Sequence, residues 1–164
     1  MKNWKVTKDN VKNLLGIMDS MAKKMVYVGI PGEATDRGEP INNATLGYIQ
    51  ENGSPAANIP ARPHLVPGVQ DALPAVTQIL QVAAEKALTP AKSNKPAASY
   101  EQRLERAGFE AVKRVKRRIT SQEGFEALAE STLAARERDG FKGTKALIRT
   151  GQYLNAQNFV VRNK

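Results

Sequence analysis

Three stretches rich in proline and glycine, residues 31–41, 54–63 and 89–98, divide this 164-residue chain more sharply than any other feature of its sequence. Proline fixes φ at about −65° and removes a backbone donor, so each stretch ends whatever ordered element precedes it. The blocks between them show no strict alternation of strand and helix, no internal repeat of usable period and no sustained heptad. Doubly wound sheets, solenoids and long coiled coils are thereby excluded.

Within the blocks, the spacing of apolar residues predicts the elements. Residues 8–24 place Val11, Leu14, Leu15, Met18, Met21 and Ala22 at three- and four-residue intervals, an amphipathic helix that Thr7 or Asp9 can cap. Met25 to Ile30 is β-branched and aromatic and stops at Pro31-Gly32, which predicts a strand. The polar run 31–41, with Glu33, Asp36 and Glu39, reads as an exposed loop. Asn42 caps a short helix through Ala44, Leu46, Tyr48 and Ile49, and Asn52-Gly53 supplies a left-handed stop. The three prolines of residues 54–63 predict an extended, stiff run.

Pro74 suits the first turn of a second helix ending near residue 88, with Leu73, Val76, Ile79, Leu80, Ala83, Ala84 and Ala87 on its buried side. Residues 89–98 are linker-like. A Ser99–Gln102 capping box opens a third helix to Ile119, with Leu104, Gly108, Ala111, Val112, Val115 and Ile119 in one stripe. A weaker helix over 129–138 is anchored by Leu133, residues 139–149 form a glycine-containing loop, a single turn starts at Thr150, and Gln157 to Arg162 reads as a closing strand.

The expected fold is α+β, a short antiparallel sheet packed against two or three longer helices with extended loops, in a single domain over 1–164. Residues 1–24 are its N-terminal helix region and 89–98 its flexible linker or loop. Two strands make no stable sheet by themselves. Further strands are therefore expected around residues 33–41, 57–66 or 143–149, or from a neighbouring subunit.

Composition narrows the chemistry. Cysteine is absent and His64 is the single histidine, which excludes disulfides, thiolate metal sites, iron–sulfur clusters and two-histidine mechanisms. No apolar run approaches the roughly 20 residues of a membrane-spanning helix. The start, MKNWKVTKDNVKNLL, puts charges where a secretion signal is apolar, so a reducing cytoplasm, or something assembled there, is the expected location.

The chain carries a formal net charge of +9, and residues 89–120 hold nine basic and three acidic side chains. The densest cluster, Lys113, Arg114, Lys116, Arg117 and Arg118, can face an acidic partner or DNA. It also fits the solvated side of a helix whose other side holds Val112, Val115 and Ile119. His64 lies in a proline-rich run with no Ser–acid pair near it, and is expected to be structural or on the surface. Glu33, Asp36 and Glu39 lack calcium-loop spacing, and neither GxGxxG nor GxxxxGK[ST] occurs. No enzyme, cofactor or metal is expected.

Two segments remain. One is Gly47 to Ser54 (GYIQENGS) with Ile59 to Pro67 (IPARPHLVP); the other is Ser131 to Arg136 (STLAAR) followed by Lys145 to Leu154 (KALIRTGQYL). In order and spacing, with Val26 to Ile30 as a first strand, they resemble the tail-completion and head–tail joining (neck) proteins of long-tailed bacteriophages, over about residues 25–162. Asn52, His64, Ala146 and Arg149 stand where that family usually has Phe, Phe, Pro and Asp.

The resemblance implies a non-catalytic virion subunit, assembled in the host cytoplasm, that forms a homo-oligomeric ring of about six copies. The ring would complete the tail and join it to the DNA-filled head. Its partners would be the connector or head-completion protein and the tail-tube or tail-terminator protein, with non-specific contact to DNA in the lumen and none with membrane. Ile59, Pro60, Arg62 and Pro63 are the residues expected to direct a loop onto the adjacent subunit. A tail-terminator ring capping the tube is the nearest alternative. A basic DNA-binding protein using residues 103–118 is a second, although no aromatics interleave its charges. A small hydrolase built on His64 is a third.

Overall fold

Leu104, Gly108, Ala111, Val112, Val115 and Ile119 do form one buried stripe, along the central helix of a computed structural model that describes residues 11–32, 41–88 and 96–164. The elements are α1 (Val11–Ala22), β1 (Lys24–Gly29), α2 (Asn43–Asn52), a 3-10 turn (Pro55–Ala57), α3 (Leu65–Leu88), α4 (Pro96–Ser121), α5 (Glu130–Arg138), α6 (Gln152–Ala156) and β2 (Asn158–Asn163). The expected α+β architecture, a short antiparallel sheet with longer helices, is what forms.

α4 is the spine. The start of α3 lies against its end, with Gly68 on Val115 and Asp71 bonded to Arg118, so α3 and α4 make an antiparallel hairpin. Glycine is required at the crossing, because a Cβ on Gly68 would lie 2.7 Å from the Val115 Cα. The sheet packs on α4 further back, where a Cβ on Gly108 would lie 2.3 Å from the Phe159 ring. β1 and β2 pair antiparallel from Lys24 opposite Asn163 to Gly29 opposite Asn158. Val26, Val28, Phe159 and Val161 share one face of that register, and Met25, Tyr27 and Val160 the other. Val115, Ile119 and Tyr153 centre the core, with Val28, Leu46, Leu65, Val69 and Leu147 among the side chains packed around them.

Several expectations need correction. α3 begins at Leu65, not at Pro74, which lies inside the helix. The earlier start is possible because Glu51 satisfies the first amides of α3, as described below, and because Pro67 falls in the first turn, where a missing N–H costs nothing. Ala72 then replaces Leu73 on the buried side, and Leu73 is exposed. α4 starts at Pro96 as the first helical residue, so Ser99 is interior and residues 96–98 of the expected linker are helical.

Residues 54–63 are not extended throughout. They fold into the 3-10 turn, with Asn58 left-handed (φ 51°) and Ser54 bridged to Ile59, before straightening. Among the described residues no third strand appears at 57–66 or 143–149. The capping residues Thr7 and Asp9, the acidic loop 33–40 and the linker residues 89–95 lie outside the described residues. α1 has the predicted period, but Val11, Leu15 and Met18 are exposed instead of buried, because α1 touches α3, α4 and β1 only lightly. No helix among the described residues is long and apolar enough to cross a membrane.

Candidate functional site

The two segments singled out in the sequence meet in space. α2 is positioned by Asn42, whose side chain accepts the Thr45 amide at 2.8 Å, and it ends at Gly53 (φ 76°). Any side chain at Gly53 would press on the Ala61 amide, so chain return at this point depends on glycine. The return brings residues 59–64 back along α2, with the Arg62 amide donating to the Gln50 carbonyl at 2.6 Å.

Glu51 on α2 then faces the N-terminus of α3. Its carboxylate accepts the backbone amides of His64, Leu65 and Val66 at 2.8, 2.9 and 2.9 Å. These are donors that a helix leaves unsatisfied at its start, and the negative charge also suits that end of the helix dipole. His64 is 1% exposed. Its Nδ1 lies 2.8 Å from the Arg62 carbonyl, which can only accept, so Nδ1 carries the hydrogen. In the neutral ring Nε2 is then the acceptor for the Tyr153 hydroxyl at 2.6 Å. Burial first, and then the Glu51 charge, push the Tyr153 phenol well above its ordinary range. The imidazole thus ties α2, α3 and α6 together as a structural residue. Gly47 leaves room for the phenol, since a Cβ there would lie 3.1 Å from the Tyr153 hydroxyl.

A second group of contacts shapes residues 140–149. Gln122, left-handed at φ 63°, clamps Ala146 with its side-chain amide: Oε1 accepts the Ala146 N–H at 2.6 Å and Nε2 donates to its carbonyl at 3.0 Å. Arg136 on α5 donates to the carbonyls of Gly143, Lys145 and Ile148. Burial, and then the charges of Arg149 and Arg62, lower the pKa of its guanidinium from the usual arginine value. Between the two groups lies a cleft of about 1020 Å³, bounded by α2, the 58–62 run, the start of α5 and the approach to α6.

Of the residues expected to meet a neighbouring subunit, Arg62 is turned inward and only 6% exposed. Its Nε donates to the Glu126 carbonyl at 3.2 Å and a terminal nitrogen to Gln50 Oε1 at 3.4 Å. Ile59 and Pro60 are half-buried and Pro63 is exposed, so these three, and not the Arg62 side chain, are presented outward. In the basic cluster, Lys113 and Arg117 are exposed, and Arg114, Lys116 and Arg118 are half-buried. Arg118 makes a two-pronged contact with Asp71 at 2.7 and 3.1 Å, which holds the Asp71 carboxyl below its ordinary range. Arg114 meets Glu110 at 3.0 Å. Much of this charge is therefore answered within the chain.

Sequence reasoning missed Glu51, Tyr153, Gln122 and Arg136. All but Gln122 lie inside the segments it singled out, but their partnerships are tertiary and leave no local pattern. No group of three or more His, Asp or Glu among the described residues is arranged to hold a metal ion. No protein-family model, curated protein or solved structure matches this chain.

Proposed function

We propose that this chain is a structural virion subunit that assembles into a ring of about six copies at the phage head–tail junction, completing the tail and joining it to the filled head. The observation that carries the reading is an imbalance in burial. Among the described residues, the buried hydrophobics larger than alanine are Leu104, Val112, Val115, Ile119 and Tyr153, whereas ten large hydrophobics are exposed. Leu15 and Met18 belong to one stripe of α1, and Met25 and Tyr27 to the outer face of the sheet. Exposed apolar side chains in such runs mark surfaces that a neighbour covers. The ordered motif set supports the same reading, as does the tying together of its two halves by the Glu51–His64–Tyr153 contacts. The half-buried to exposed Ile59, Pro60 and Pro63 then direct the turn at 54–59 towards the adjacent copy.

Light scattering and negative-stain images of the purified chain test this. A closed ring is expected, and a chain that stays monomeric at concentrations well above micromolar contradicts the reading. In the virus, disabling the gene should leave filled heads and unattached tails. Intact particles formed without the protein would exclude the role.

A further inference from the structure

We propose that the cleft between α2, the 58–62 run and α5 is a receptor for an extended, carboxylate-bearing segment of another protein, gripped by Arg62 and Arg136, with Arg149 at its rim, over an apolar floor. Three arginines from three separate elements line this one cleft, but they are not equivalent. Arg149 lies exposed at the rim, paired with Asp139 at 2.7 Å and stacked over Phe141, so the uncompensated charge is that of Arg62 and Arg136. Arg62 is almost wholly buried, and its described contacts are neutral: a backbone carbonyl and the Gln50 amide. Arg136 is half-buried, and its contacts are three backbone carbonyls. Neutral acceptors fix the geometry of a guanidinium without cancelling its charge. Among the described residues no carboxylate is ion-paired to either arginine, so the cleft holds recessed positive charge that an incoming anion would neutralise. The mutual repulsion of the three guanidinium groups, felt at Arg136, points the same way.

The shape selects among anions. About 1020 Å³ lies at the upper end of ordinary ligand pockets, which suits several residues of extended chain better than a single small ion. Leu46, Leu128 and Leu147 supply apolar lining beside the arginines. An extended peptide that alternates acidic and apolar side chains presents both chemistries at the required period of two. Duplex DNA offers phosphates on a convex surface and is poorly suited to guanidinium groups as recessed as those of Arg62 and Arg136. The uncompensated charge of Arg62 and Arg136 selects an acidic partner as the occupant. This surface is separate from the apolar faces of α1 and the sheet that argue for a ring, although its rim shares Ile59 and Pro60 with the turn directed at the adjacent copy, and ring formation is expected with or without an occupant.

The probe is a fluorescein-labelled nonapeptide alternating Glu and Leu, followed by anisotropy at low salt. Its controls are the same peptide with Gln in place of Glu, and a short DNA duplex as competitor. Binding is expected, weakened at least tenfold by the Gln peptide. Thr132→Glu, which tethers a carboxylate in the cleft at an exposed position, and Arg149→Glu should each weaken it at least tenfold. Arg117→Glu, on the outer side of α4, should leave it unchanged. On the wild-type chain, the same titration should shift the Nε–H resonances of Arg62 and Arg136, a readout that needs no variant to fold. Absence of peptide binding overturns the proposal. So does binding that survives Thr132→Glu, that Arg117→Glu abolishes equally, or that duplex DNA displaces at equal charge concentration.

Discussion

Glu51 and Tyr153 act through groups with no other partner among the described residues. The amides of His64, Leu65 and Val66 converge on the Glu51 carboxylate, so Glu51→Ala leaves three donors at the start of α3 without it and should cost about 2–3 kcal/mol in chemical denaturation. Glu51→Gln keeps one acceptor oxygen and loses the charge, and should cost about half as much. Tyr153→Phe removes the only described donor to His64 Nε2 and should cost about 1–2 kcal/mol at neutral pH. The sign of its pH dependence follows from the raised phenol. A group whose pKa is higher in the folded state than the unfolded value of about 10 contributes stability that is complete below that pH. The contribution is lost as pH rises above it. The stability gap between wild type and Tyr153→Phe should therefore narrow above about pH 10. Alkaline absorbance titration of the pair should show the missing phenol ionising late. A gap that widens with pH would contradict this account.

Elements pack here through glycines, and the two that matter are both contacts of α4. Gly108→Ala places a methyl group inside the Phe159 ring and should cost at least about 2 kcal/mol, with the sheet displaced from the helix. Combined with Phe159→Ala, the same change should cost much less than the sum of the single effects, and thermal melts of the double-mutant cycle check this. Gly68→Ala meets backbone instead of a side chain, so no single truncation at Val115 should rescue it. The element scale also separates what could be read in the sequence from what could not. The α4 stripe, the Asn42 cap, the Gly53 stop and both strands follow from period and local side-chain-to-backbone bonding, and each was legible. The start of α3 was not, because its cap comes from Glu51, 14 residues upstream of Leu65. Nor was the form of residues 139–149, where Arg136 and Gln122 act in place of a strand ladder. His64 was legible only as structural or on the surface, and its partner Tyr153, which decides between the two, lies 89 positions away. Long-range polar pairing leaves no period in a sequence, and the candidate site is made almost wholly of it.

For the whole molecule, the decisive feature is that elements correctly spaced for burial are left uncovered. α1 has an apolar stripe at helical period, yet Leu15 and Met18 face outward, and a two-stranded sheet with Met25 and Tyr27 on its open face is marginal alone. Those side chains contribute little to the isolated subunit, so Leu15→Ser with Tyr27→Ser should change monomer stability by no more than about 0.5 kcal/mol each. If neighbouring copies cover them, the same double substitution should abolish the oligomer in sedimentation velocity while far-ultraviolet dichroism stays unchanged. Charge gives an independent handle on the same equilibrium. Copies that each carry +9 repel one another, and added salt screens that repulsion while leaving apolar burial intact. Ring formation driven by apolar faces should therefore strengthen as ionic strength rises from about 0.01 to 0.15 M, where the screening length falls from about 30 to 8 Å. Dissociation on adding salt would mean instead that ion pairs hold the copies together, and the uncovered apolar stripe of α1 would then need a different occupant.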